Sequence, residues 1–240
     1  MTINGTDVRK YGAVQLTVDT KAPAEGCGTE WAEGSPLPRR YRQNQTYGTL
    51  SISLLFRGEG RDDILRRAGE LIALLGDESI LVLDGYDGEF ICYYTGGAEP
   101  EKVKGTRTRY TMKLTFNYYR RDSVRSALSV DGAPISIAGA GSRDTPATVE
   151  ITAAAETHGF TISGFPGGDI VISELFAGEM LIIDGERGTA TVDGVNAFGR
   201  VELWRFPLIE AGKRTLLTFT ADGELSGVRV RVKYRPMLLL

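Results

Sequence analysis

The chain has 240 residues, with 28 Lys and Arg against 31 Asp and Glu, and 42% of its residues are hydrophobic. That is enough apolar side chain to bury one large core or two smaller ones. A formal net charge of −3 excludes a protein whose main work is to coat nucleic acid or an anionic membrane, since both demand a clear basic excess.

No apolar run approaches the roughly 20 residues that a bilayer-spanning helix needs. The opening MTINGTDVRKYG has none of the charged, apolar and small-residue regions of a secretory signal. Synthesis and folding in a cytoplasm, with no membrane partner, is the expectation. Cys27 and Cys92 match neither zinc nor redox-pair spacing. Cys92, in EFICYYTG, reads as a buried small hydrophobe, and Cys27, between two glycines, as a loop residue.

In chain order, TINGTDV reads as a short strand with an Asn-Gly turn, and SPLPRRYR as a Pro/Arg-rich loop. YGTLSISLLFRG alternates Leu50, Ile52, Leu54 and Phe56 with Thr49, Ser51 and Ser53, the period of a half-buried strand. RDDILRRAGELIALLG spaces Ile64, Leu65, Ala68, Leu71, Ile72 and Leu75 as one face of a helix over 62–75. Asp62 and Asp63 suit its first turn, and Gly76 suits a left-handed cap. ESILVLDGYDGEFICYY reads as a hairpin through Asp-Gly turns. A long strand, KGTRTRYTMKLTFNYYRR, follows. Tyr110, Met112, Leu114 and Phe116 form its apolar face, and Arg107, Arg109, Lys113 and Asn117 the other.

Composition shifts near residue 131, where DGAPISIAGAGSRDTPA has the small-residue, Gly/Pro character of a link over 132–146. Beyond it come only short strand patterns, from ATVEITAAA to VRVRVKYR, at roughly ten-residue spacing. That is the pattern of a β-sandwich or jelly roll. The final VRVRVKYRPMLLL either completes this sandwich or returns to the first domain. The fold class read from the residues is mainly β, with one α-helix and a β-hairpin in the first half.

Catalytic groups are sparse. The one histidine, His158, opens a predicted strand and has no second His to complete a zinc site. There is no nucleophile elbow. AGKRT lacks the glycine spacing and the Ser or Thr of a phosphate-binding loop, and GAGSRD has no strand-helix context. DGYDGE departs from the EF-hand spacing and is explained by its turns. A carboxylate pair need only converge in space, so a hydrolase stays open, although no pair is singled out.

Two features suit binding. Arg107, Arg109 and Lys113, with Lys102 and Lys104 upstream, form a basic strip. It faces a partner or a channel, or is simply the solvated side of a half-buried strand. Trp204, in VELWRFPL, is placed by alternation with Glu202 and Phe206, opposite Val201, Leu203 and Arg205. Core packing is its expected use, and stacking on a sugar the alternative.

This order of elements resembles the distal tail protein family (Dit) of long-tailed bacteriophages. TINGTDV, SPLPRRYR, YGTLSISLLFRG, the helix, the hairpin and TRTRYTMKLTFNYYRR carry the resemblance in the first half. GEMLIIDGERGTATVDGVNAF, WRFPLIEAGKRTLLTFTA and VKYRPMLLL carry it in the second. The resemblance implies a virion structural protein of the tail tip or baseplate hub, not an enzyme, with no cofactor or metal. It implies a first domain over 1–131, a β-barrel or sheet, that closes a homohexameric ring. The second domain, over 147–240, is then a galectin-like β-sandwich projecting outward. The implied partners are further copies of the chain, a tail tube protein and a tail-tip, fibre or lysin protein. DNA would pass only in transit through the lumen, with Arg107, Arg109 and Lys113 at the lumen or a subunit interface. The galectin sugar motif is absent: no Asn-Pro-Arg follows His158 and no acid follows Trp204 as required. A carbohydrate-binding adhesion module remains the alternative function.

Overall fold

Alternation of apolar and polar residues makes most segments half-buried strands, and the architecture follows from how those strands pair. A computed structural model describes residues 1–23, 27–30, 39–42 and 47–239, the second and third of these as backbone only. The chain divides into Met1–Arg121, rejoined by the chain end at Leu239, and Asp122–Leu238.

The first unit holds β1 (Thr2–Ile3), β2 (Thr6–Asp7), β3 (Ala13–Lys21), β4 (Cys27–Glu30), β5 (Arg39–Arg42) and β6 (Gly48–Arg57). After α1 (Arg61–Ile72) come β7 (Ser79–Val82), β8 (Glu89–Gly97), β9 (Glu101–Lys102) and β10 (Arg109–Arg121). One sheet runs β2-β1-β7-β8-β10-β6-β3, with β9 added along β10. The Gln15 side chain on β3 bonds both backbone groups of Asp84, beyond β7, so the sheet curls back on itself. Leu50, Ile52, Leu54 and Phe56 of β6 face Phe116, Leu114, Met112 and Tyr110 of β10 in register, all on the buried side. Ile64, Ala68 and Leu71 lay α1 over that side.

The helix lacks a side-chain cap at Gly60. Asp63 replaces it by accepting from the Glu59 N–H, and it pairs with Arg67 at 2.9 Å. The Arg67 guanidinium holds the Asp63 carboxyl below its usual range. Gly76 does not end the helix in a left-handed conformation as expected. The chain tightens at Leu74 and Leu75, whose N–H groups donate to Leu71 and Ile72, because this tuck packs both leucines on the core. Cys27 lies in the β4 ladder rather than a loop. Residues 35–38, the start of SPLPRRYR, fall outside the described residues.

The second unit holds β11 (Arg125–Val130), β12 (Ile135–Ala138), β13 (Thr145–Thr152), β14 (Thr157–Ser163), β15 (Ile170–Leu175) and β16 (Met180–Asp184). It continues through β17 (Thr189–Val192), β18 (Val195–Asn196), β19 (Val201–Leu203), β20 (Leu208–Ile209), β21 (Arg214–Thr220) and β22 (Arg229–Tyr234). Two sheets form, β11-β22-β13-β16-β17-β18 and β12-β21-β14-β15-β19. Val149, Ile151, Ile183 and Val232 from the first meet Phe160, Ile162, Ile172 and Leu217 from the second in one buried core, so this unit is a β-sandwich. VRVRVKYR completes the sandwich as β22.

The break between units falls at Arg121/Asp122, ahead of the stretch read as a link, and residues 132–146 contribute β12 and the start of β13. The tight Asp131-Gly132 turn, with φ of 55° and 73°, joins β11 to β12 and gave that stretch its loop-like composition.

The two cores are separate buried clusters, which sets an expectation. Leu71→Ala and Ile151→Ala should each cost about 2–5 kcal/mol. Chemical denaturation followed by hydrogen exchange should show each loss confined to its own unit; a loss spread equally over both would contradict separate cores.

Candidate functional site

The basic strip is built by the start of β10. Arg109 and Lys113 both stand on its exposed side, two pleats apart, opposite Arg57 and Ser53 of β6. Arg107 is exposed too, but the strand begins at Arg109, so Arg107 lies in the preceding turn rather than on the strand face. That turn is set by the Thr106 hydroxyl donating to the Val103 carbonyl at 2.9 Å and by the Val103 N–H donating to the Arg109 carbonyl at 2.9 Å. β9 carries Lys102 beside Tyr110 and Glu101 beside Thr111, and Lys104 follows in the turn.

The strip contains a residue that sequence reasoning missed. Arg57 sits directly opposite Arg109, its backbone fixed by donation to the Gly12 carbonyl at 2.9 Å. Like charges directly opposed across an antiparallel pair are unfavourable. Among the described residues, neither Arg57, Arg107, Arg109 nor Lys113 forms an ion pair. Glu101 of β9 lies opposite Thr111, and Glu99 reaches Arg61 at 3.8 Å. Arg57 would have been found only by deriving the β6–β10 register, which brings together residues 52 positions apart.

The other singled-out residues are dispersed. His158, in β14, is exposed with Nε2 3.1 Å from Glu156 Oε1. Cys92 is buried, and burial pushes its thiol up, away from reactivity. Trp204 corrects the expectation of core packing: it is 83% exposed. Alternation sets Trp204 with the exposed Glu202, opposite Val201 and Leu203, and it is that second face which meets the core. Phe206 packs against the core from beyond the bend.

Residues 140–237 match the family model of the siphovirus-type tail component, C-terminal domain. The fold of the whole chain is similar to the crystal structure of the SPP1 Dit protein, with a TM-score of 0.74 at 12% identity, covering 98% of this chain and 97% of that one. Residues 140–237 are thus similar to the C-terminal domain of siphovirus-type tail components, and the chain as a whole has the fold of the SPP1 Dit protein. That SPP1 protein is described as a paradigm of the hub adsorption apparatus in phages infecting Gram-positive bacteria. A chain of the phage P2 baseplate, in its activated conformation with Ca, is also similar, with a TM-score of 0.51 at 11% identity over 95% of this chain and 92% of that one. The same baseplate with Sr gives a TM-score of 0.50 at 12% identity, covering 95% and 92%. No curated protein matches at the level of sequence.

The basic strip lies outside the matched residues 140–237. The like-charge pair makes the strip testable. Arg109→Thr should raise stability by about 0.2–1 kcal/mol at low salt, with the gain shrinking as salt rises. Equilibrium denaturation at two ionic strengths measures this; a loss of stability at low salt would show that Arg109 has a compensating partner.

Proposed function

We propose that this chain is a structural hub at the distal end of a phage tail. Six copies close a ring whose lumen continues the tail tube, and the protein joins that tube to the tip or host-adsorption apparatus. The unit Met1–Arg121 supplies the ring and the sandwich unit engages outward, toward a tail-tip, fibre or lysin protein. The role is architectural, without catalysis of its own. The protein is made in the host cytoplasm and carried in the virion.

The observation that carries this reading is a likeness of fold to a hub protein that runs through both units rather than one. Such a ring is heterologous, each copy offering two different surfaces to its neighbours. The strip of Arg57, Arg107, Arg109 and Lys113 then belongs at the lumen, where DNA passes in transit, or at a contact between copies. A single like-charge pair is a poor choice for an isolated surface and a sensible one where an acidic neighbour neutralises it.

The exposed Trp204 favours a second reading, in which the sandwich binds a cell-surface saccharide. Light scattering of the purified full chain separates the two. The hub reading expects a sixfold assembly that grows with concentration. A monomer at every concentration, binding host polysaccharide and losing it in Trp204→Ala, would establish the adhesin instead.

A further inference from the structure

The second unit concentrates positive charge where its composition does not call for it. Asp122–Leu238 carries 11 Lys and Arg against 15 Asp and Glu. Yet Arg229, Arg231 and Lys233 occupy alternate positions of β22, a strand flanked on both sides within its sheet. Val230, Val232 and Tyr234 are buried between them, so the three cations all project from the outer face. Side chains at alternate positions of a strand are about 7 Å apart, close enough to act as one row.

One carboxylate faces the row. Glu150 of β13, opposite Arg231, takes Lys233 at 2.5 Å and reaches Arg231 at 3.8 Å. Arg229 is opposite Thr152 on one side and Val130 on the other, and among the described residues it forms no ion pair. Three cations against one acid leave the face positive in an otherwise acidic unit.

Apolar residues rim the row. Leu128 and Val130, on the edge strand β11, lie opposite Arg231 and Arg229 and are 50% and 41% exposed, and Met180 of β16 is 41% exposed beside Thr152. A shallow groove of about 150 Å³ runs between Leu128, Glu150, Thr152, Met180, Arg229 and Arg231. Exposed leucine, valine and methionine grouped around cations suit a protein partner, because a phosphate backbone gains nothing from aliphatic contact while an interface does.

We infer that the outer face of β22, with β11 and β16 at its sides, docks an acidic protein segment that carries apolar residues among its carboxylates. The carboxylates meet Arg229 and Arg231, which Glu150 leaves wholly or partly unneutralised. The apolar side chains cover Leu128 and Met180. This surface belongs to the second unit and the strip of Arg57 and Arg109 to the first, and the inference does not depend on ring formation.

Fluorescence anisotropy on the full chain tests it, with three labelled probes: a peptide repeating Glu-Leu-Glu-Ser, an equally charged Glu-Ser peptide, and single-stranded DNA. The Glu-Leu-Glu-Ser peptide should bind best and weaken as salt rises. Arg229→Gln with Arg231→Gln should weaken it at least tenfold, while Arg214→Gln, on the other sheet, leaves it unchanged. Leu128→Ser, which alters no charge, should reduce this peptide to the level of the Glu-Ser probe. No peptide binding, equal loss in the Arg214 variant, or DNA binding as tight as the peptide and indifferent to Leu128 would each overturn the inference. A failure here with a sixfold assembly intact leaves the hub reading standing.

Discussion

The first unit depends on one pairing, that of β10 with β6. Ten consecutive residues of β10, Arg109 to Tyr118, are in register with β6, and the same strand binds β8 along its second half and β9 at its start. Because side chains alternate, this register decides at once what is buried and what is displayed. Tyr110, Met112, Leu114 and Phe116 go to the core beneath α1, and Arg109 and Lys113 go to solvent. A slip of one residue would bury two cations and expose four large apolar side chains. The opposition of Arg57 to Arg109 is thus a consequence of the core's packing, and no local adjustment of either arginine's backbone removes it.

The sandwich repeats the logic with different results. β22 is bonded to β11 and β13 along its length, and burying Val230 and Val232 forces Arg229, Arg231 and Lys233 outward as a row. In both units, then, an apolar face fixed by the core presents its cations as an ordered array. A tail hub needs such surfaces, since it must meet several neighbours through distinct patches while its own fold stays unchanged.

Much of this was legible in the sequence, and the failures have definite causes. The strands YGTLSISLLFRG and VRVRVKYR, the helix and the Asp-Gly turns follow from period and turn chemistry alone. Trp204 was misread because the face it shares with Glu202 was taken as the buried one, whereas Val201 and Leu203 of the opposite face meet the core. Arg107 was read onto the strand because Thr106 and Thr108 continue the polar-apolar rhythm that the Thr106–Val103 turn interrupts. β12 was read as part of the link over 132–146 and β11 was not read as a strand, because a short edge strand rich in Ser and Ala resembles a loop until its partner β22 is known. The two basic surfaces are tertiary: Arg57 joins Arg109, and Leu128 joins Arg231, only through register. The ring of six has no counterpart in any residue pattern and comes from family resemblance.

The most direct test of the hub account is the position of this chain in the virion. Cryo-electron microscopy of tails, with an antibody fragment bound to the protein, should show six labels arranged as a ring at the end of the tail away from the capsid. Label spread along the tail shaft, or confined to the capsid, would contradict the account.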